Sequence, residues 1–150
     1  MKNYYTKMKL PEPLVPALQA LSLLKGQTAL VTGANSGIGR AIAVSLGRAG
    51  ANVVVNYVVK PEEAEAVVGE IQGGGGHATA IRADVGDEAQ VVAMFAEAVK
   101  AFGTVDILVS NAGMERNAPF HEMTTAQWDA VMNVNLRGAF LCAREAVREF

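Results

Sequence analysis

The sequence predicts an α/β fold, a Rossmann-like doubly wound parallel sheet with helices on both faces, and three observations carry that expectation. Short, almost unbroken apolar runs alternate with longer segments of helical period. A glycine-rich turn, in TALVTGANSGIGR at 28–40, stands where the first apolar run gives way to the first helical one. The 150 residues, 51% hydrophobic and 19% charged, suffice for one domain with a substantial core.

Taken in order, residues 1–26 read as an N-terminal arm and 27–150 as the domain. In the arm, Lys2, Lys7 and Lys9 precede LVPALQALSLL, which imitates a secretory signal, but Pro11, Pro13 and Pro16 with Glu12 and Gln19 interrupt it. Strands are expected at 28–32, 52–57, 78–83 and 105–110, apolar throughout because both faces of a parallel sheet are covered. Ile38, Ile42, Leu46 and Ala49 mark the packing stripe of a first helix. Pro61 opens a second, PEEAEAVVGEIQ, with Glu62, Glu63 and Glu65 near its positive end, and GGGG at 73–76 ends it. Val91, Phe95, Val99 and Phe102 mark a third. Right-handed crossovers place these strands in the order 3-2-1-4, with the glycine turn at the carboxyl edge. The fourth strand then has an unpaired outer edge. Leu136, Phe140, Ala143, Val147 and Phe150 form an apolar stripe on the last helix with little to cover it.

Charge and composition exclude several functions. Thirteen basic and fifteen acidic side chains give a net charge of -2 without a run of one sign, which argues against nucleic acid and anionic membranes as partners. No apolar stretch reaches the eighteen or so residues that span a bilayer. One cysteine, Cys142, and two histidines, His77 and His121, supply neither an internal disulfide nor a metal ligand set, and fit a reducing cytoplasm.

The turn itself suggests anion binding. A helix beginning near Gly37 leaves its first N–H groups unpaired at the positive end of its dipole, where a diphosphate fits. Gly33 permits a tight turn, Gly37 close approach of a ligand, and Gly39 close packing of helix on strand. Arg40 and Ala41 after Gly39 exclude a P-loop. The alternative is a helix capped by Asn35 or Ser36 with nothing bound.

Thr32, Gly33, Gly37 and Gly39 give T-G-x-x-x-G-x-G, followed in order by ADV at 83–85, NAG at 111–113 and NVNL at 133–136. Over residues 26–150 the chain thereby resembles the short-chain dehydrogenase/reductase family. VVVNY, NAGMERNAPFHEM, Trp128 and NLRGAFLCAREAVREF resemble most the bacterial glucose 1-dehydrogenase branch, with a sugar or another alcohol/carbonyl compound as substrate. The resemblance implies a nicotinamide dinucleotide held by Gly33, Asn35, Ser36, Gly37, Ile38, Gly39, Asp84, Val85, Asn111, Ala112 and Gly113. It implies homo-oligomers paired through the last helix.

NAD-preferring members carry an acid at the end of the second strand, where this chain has Tyr57. Lys60 and Arg40 are candidates to meet a 2'-phosphate, with Lys60 as a solvated helix-entry residue the alternative, although the position directly after NY is Val58. NADP or dual use is therefore expected over strict NAD. For catalysis the resemblance supplies only Asn135, holding a water in a proton path. A serine and Tyr-x-x-x-Lys should follow Phe150, so the 150 residues alone are expected to be inactive. The YTKMK of Tyr5 to Lys9 lies in the arm, before the first strand. Glu115 and His121 stand on a loop facing the expected substrate mouth. A non-catalytic dinucleotide-binding or subunit-pairing module is the competing reading.

Overall fold

A computed structural model describes residues 22–150. YTKMK and most of the signal-like stretch lie outside the described residues. The elements are β1 (Thr28–Val31), α1 (Gly37–Arg48), β2 (Asn52–Tyr57), α2 (Pro61–Gly73), β3 (His77–Arg82), α3 (Glu88–Phe102), β4 (Ile107–Val109), α4 (Thr125–Met132), a π-helical turn (Asn133–Gly138) and α5 (Ala139–Glu149). The four strands are all parallel and lie in the order β3-β2-β1-β4. Residues 22–26, assigned to the arm from sequence, turn against the end of α1. There Leu24 donates its N–H to the Ala49 carbonyl.

Alternation along the strands explains their unbroken apolar runs. Ala29, Val31, Val53 and Val55 face a core completed by Ala43 and Val44 of α1 and Ala64, Val67, Val68 and Ile71 of α2. Leu30, Val54 and Ile81 face the other side, under Val91, Met94, Phe95 and Ala98 of α3 and Leu141, Cys142 and Ala146 of α5. A sheet buried on both faces has no place for the polar half of an alternating strand. The paired part of β4 is shorter than expected: Val105 is buried in the core and Asp106 donates its N–H to Thr28, but only three residues enter the ladder.

One packing face differs from expectation. The core-facing side of α1 is Gly39, Ala43, Val44 and Gly47, while Ile38 is 76% exposed and Ile42 and Leu46 are half-buried. The cause is close approach: a Cβ on Gly47 would come within 2.7 Å of Ile71 Cγ2. The helix therefore packs by its smallest residues, and its apolar stripe is turned partly outward. The stripe on the last helix is as expected, with Leu136, Phe140, Ala143, Val147 and Phe150 all exposed.

Candidate functional site

Parallel strands bring all their carboxyl ends to one edge, and the sequence-predicted site residues gather there. Gly33 and Gly37 take φ of +61° and +55°, conformations that glycine adopts without strain. A Cβ on Gly37 would meet nothing within 4 Å, so the turn opens onto free space. A Cβ on Gly39 would lie 2.4 Å from the Gly33 carbonyl oxygen and 2.5 Å from Asn111 Nδ2, which makes Gly39 the packing glycine. The first backbone bond of α1 runs from Arg40 N–H to the Ser36 carbonyl. The amides of Gly37, Ile38 and Gly39 precede it. Ser36 occupies the N-cap position but makes no side-chain capping bond. Asn35 directs its amide away, to the Val59 carbonyl and Glu63 Oε2, each at 3.4 Å. Neither residue caps the helix as the ligand-free alternative requires.

Three polar side chains fix this turn, Thr32 and Asn56 buried and Asn111 half-buried. Thr32 Oγ1 donates to the Val109 carbonyl and accepts the N–H groups of Asn111 and Ala112, joining the turn after β1 to the loop after β4. Asn111 returns two bonds from Nδ2, to the Thr32 and Gly33 carbonyls at 2.9 and 3.2 Å. Asn56, 1% exposed within β2, accepts the Gly33 N–H and donates to the Ile81 and Ala83 carbonyls. Sequence reasoning missed Asn56; its signal was an amide directly after the apolar run Val53–Val55.

At the end of β2, Tyr57 is half-buried in register with Arg82. Lys60 follows at φ 59° and caps α2 by its backbone, while its ammonium pairs with Glu63. Arg40 is held by Glu70 at 2.8 Å. Both candidate phosphate ligands thus already have carboxylate partners. A cleft beside the turn is lined by Asn35, Ser36, Gly37, Arg40, Glu63 and Ala66. Arg82, a basic residue not singled out from sequence, donates from Nε to the Val58 carbonyl at the same edge. Beyond β3, Asp84 is half-exposed and accepts the Gly86 N–H. Val85 is buried beneath Gly138, where a Cβ would sit 2.7 Å from its Cγ2, so it presents backbone and not side chain to the edge.

Asn135 lies within the π-helical turn, where regular α-helical bonding is interrupted. Its amide clasps Met114, accepting the N–H at 2.8 Å and donating to the carbonyl at 3.0 Å. The residue after Gly113 is thereby fixed to the junction of α4 and α5. Glu115 and His121 are exposed on the intervening loop, and His121 lies 3.5 Å from Glu122. Among the described residues no three His, Cys, Asp or Glu side chains could hold a metal, and no helix is long and apolar enough to cross a membrane.

The short chain dehydrogenase model matches residues 27–150. The chain belongs to that family. Over 125 residues it is 49% identical to the short chain dehydrogenase claC of Passalora fulva and 52% identical to the short chain dehydrogenase/reductase AacuN of Aspergillus aculeatus. Each alignment covers 83% of this chain and 47% of the relative, so the chain spans about half the length of these short chain dehydrogenases. Among solved structures, a dehydrogenase/reductase from Sinorhizobium meliloti superposes with a TM-score of 0.84 at 45% identity, over 88% of this chain and 52% of that one. A mutant short-chain dehydrogenase/reductase of Serratia marcescens gives 0.83 at 37%, over 85% and 52%. The sheet order and flanking helices are those of a short-chain dehydrogenase Rossmann fold.

Proposed function

We propose that this chain is the NAD(P)(H)-binding portion of an oxidoreductase that interconverts an alcohol or sugar with its carbonyl or lactone, similar to glucose 1-dehydrogenase. One observation carries the reading: the N-terminus of α1 has no side-chain cap and opens onto free space at Gly37, at the carboxyl edge of the sheet. Uncapped amides at the positive end of a helix dipole are suited to a diphosphate. Gly33, Asn35, Ser36, Gly37, Ile38 and Gly39 form the cradle. Tyr57 and Lys60 border the adenosine ribose, Asp84 and Val85 the adenine, and Asn111, Ala112 and Gly113 the path toward the nicotinamide. Bound there, the nicotinamide supplies the hydride donor or acceptor.

Asn135 acts by position: its side chain holds Met114, and the π-helical turn frees backbone groups that can order a water in a proton path. No acid stands at Tyr57 to repel a 2'-phosphate, which favours NADP or dual use. The exposed stripe on α5 pairs two copies, and the protein acts in the cytoplasm.

Titration of the chain with NADPH, read by cofactor fluorescence, tests the cradle. The wild type gives saturable binding. Gly37→Asn keeps the left-handed conformation accessible yet fills the open space, and binds at least about tenfold more weakly with an unchanged circular dichroism spectrum. Folded wild-type protein without saturable binding, or a Gly37→Asn variant that binds as well, counts against the reading.

A further inference from the structure

The cleft beside the glycine turn contains a carboxylate that the strand pattern does not announce. Glu63 stands at the third position of α2, and its two oxygens face different partners: Oε1 takes the Lys60 ammonium at 2.5 Å, and Oε2 takes Asn35 Nδ2 at 3.4 Å. It thus bridges the β2–α2 loop to the glycine turn and lines the same cleft as Ser36 and Gly37. Resting on the cofactor reading above, we propose that Glu63 is the residue that sets discrimination between NADP(H) and NAD(H), by competing with the 2'-phosphate for Lys60.

The chemistry follows from charge. Lys60 is the first cation along the chain after β2, but its ammonium is already matched by Glu63, whose hydrogen bond and charge raise the lysine pKa; Arg82, in register with Tyr57, turns its Nε to the Val58 carbonyl. Arg40 is matched by Glu70. A phosphate monoester bearing nearly two negative charges must displace Glu63 from Lys60 and then remain beside the displaced carboxylate. A ribose with a free 2'-hydroxyl faces neither demand. Glu63 thereby compensates for the missing acid at Tyr57 and brings the site toward dual use. The left-handed backbone at Lys60 holds the loop so that ammonium and carboxylate meet three residues apart.

The test measures dissociation constants for NADPH and NADH by fluorescence in wild type, Glu63→Gln, Lys60→Met and the double variant. Gln is isosteric and can still accept from Asn35. Removing one negative charge several ångströms from a nearly dianionic phosphate, in a water-like dielectric, tightens NADPH by about fivefold, and NADH is unchanged within about twofold. The gain shrinks at high salt. Lys60→Met weakens NADPH selectively, and adding Glu63→Gln then restores less than it gains in wild type. A Glu63→Gln variant that leaves the NADPH to NADH ratio unchanged overturns the proposal while the cradle stands. Folded wild type that binds neither cofactor overturns both.

Discussion

Asn56 shows how much of the site depends on one buried amide. Its Oδ1 holds the Gly33 N–H, and its Nδ2 satisfies the carbonyls of Ile81 and Ala83, so a single side chain ties the end of β3 to the turn after β1. Asn56→Ala leaves these backbone groups without that partner in a region closed to water. Each unsatisfied buried group costs roughly 1–3 kcal/mol, and partial relaxation brings the total to about 2–4 kcal/mol. Urea unfolding followed by circular dichroism should show that loss. NADPH affinity should fall as well, because Gly33 is no longer positioned. A variant as stable as wild type would mean that other groups or water replace the amide. The residue scale is also where sequence is least informative. The packing role expected of Gly39 follows from motif spacing, and its close contacts agree with it, while Gly37 opens onto free space. The bonds of Asn56 and the reach of Glu63 join residues 23–28 positions apart, which no local pattern encodes.

At the scale of elements, strands were legible because burial on both faces leaves a continuous apolar signature. The face of α1 was not. Hydrophobic periodicity weights large side chains, whereas this helix packs closely at Gly39, on the glycine turn and Asn111, and at Gly47, on Ile71 of α2, and glycines carry almost no such signal. The last helix is the opposite case, since its exposed stripe is apolar and its buried face, Glu145 apart, is apolar too. The buried face is readable through Cys142, whose thiol is fully enclosed and pushed up by burial from 9.0 to about 11. The folded state thus favours the neutral thiol. Its contribution is complete below the ordinary pKa and is lost as pH rises from about 9 to about 11. That loss reaches roughly 2–3 kcal/mol for a shift of two units. Urea midpoints measured between pH 8 and 11 should decline, and less steeply in Cys142→Ala. At pH 8, a thiol reagent should label native protein only as fast as α5 opens. Rapid labelling under native conditions would show that α5 is not docked as the structure has it.

At the scale of the whole molecule, apolar surface stays open around a sheet covered on both faces. Among the described residues the outer side of β4 pairs with nothing, Ile38 projects from α1, and Phe140, Val147 and Phe150 are each more than half exposed on α5. Apolar surface of this extent on a small unit promotes association. The α5 stripe is the surface suited to a second copy, because a helix face can pair with itself about a twofold axis, with the same residues contributed by each partner. Arg144, held over the Phe140 ring and paired with Glu88, flanks the stripe without covering it. Mass measured by light scattering should therefore rise with concentration from one chain toward two. Replacing Phe140 and Val147 together by Glu places two like charges from each copy against the other. It should move the midpoint of association at least about tenfold higher in concentration. NADPH affinity should be unchanged, because neither side chain lines the cleft at the glycine turn. If the double variant associates as wild type does, the contact lies elsewhere, and Ile38→Glu then separates the α1 face from the open edge of β4.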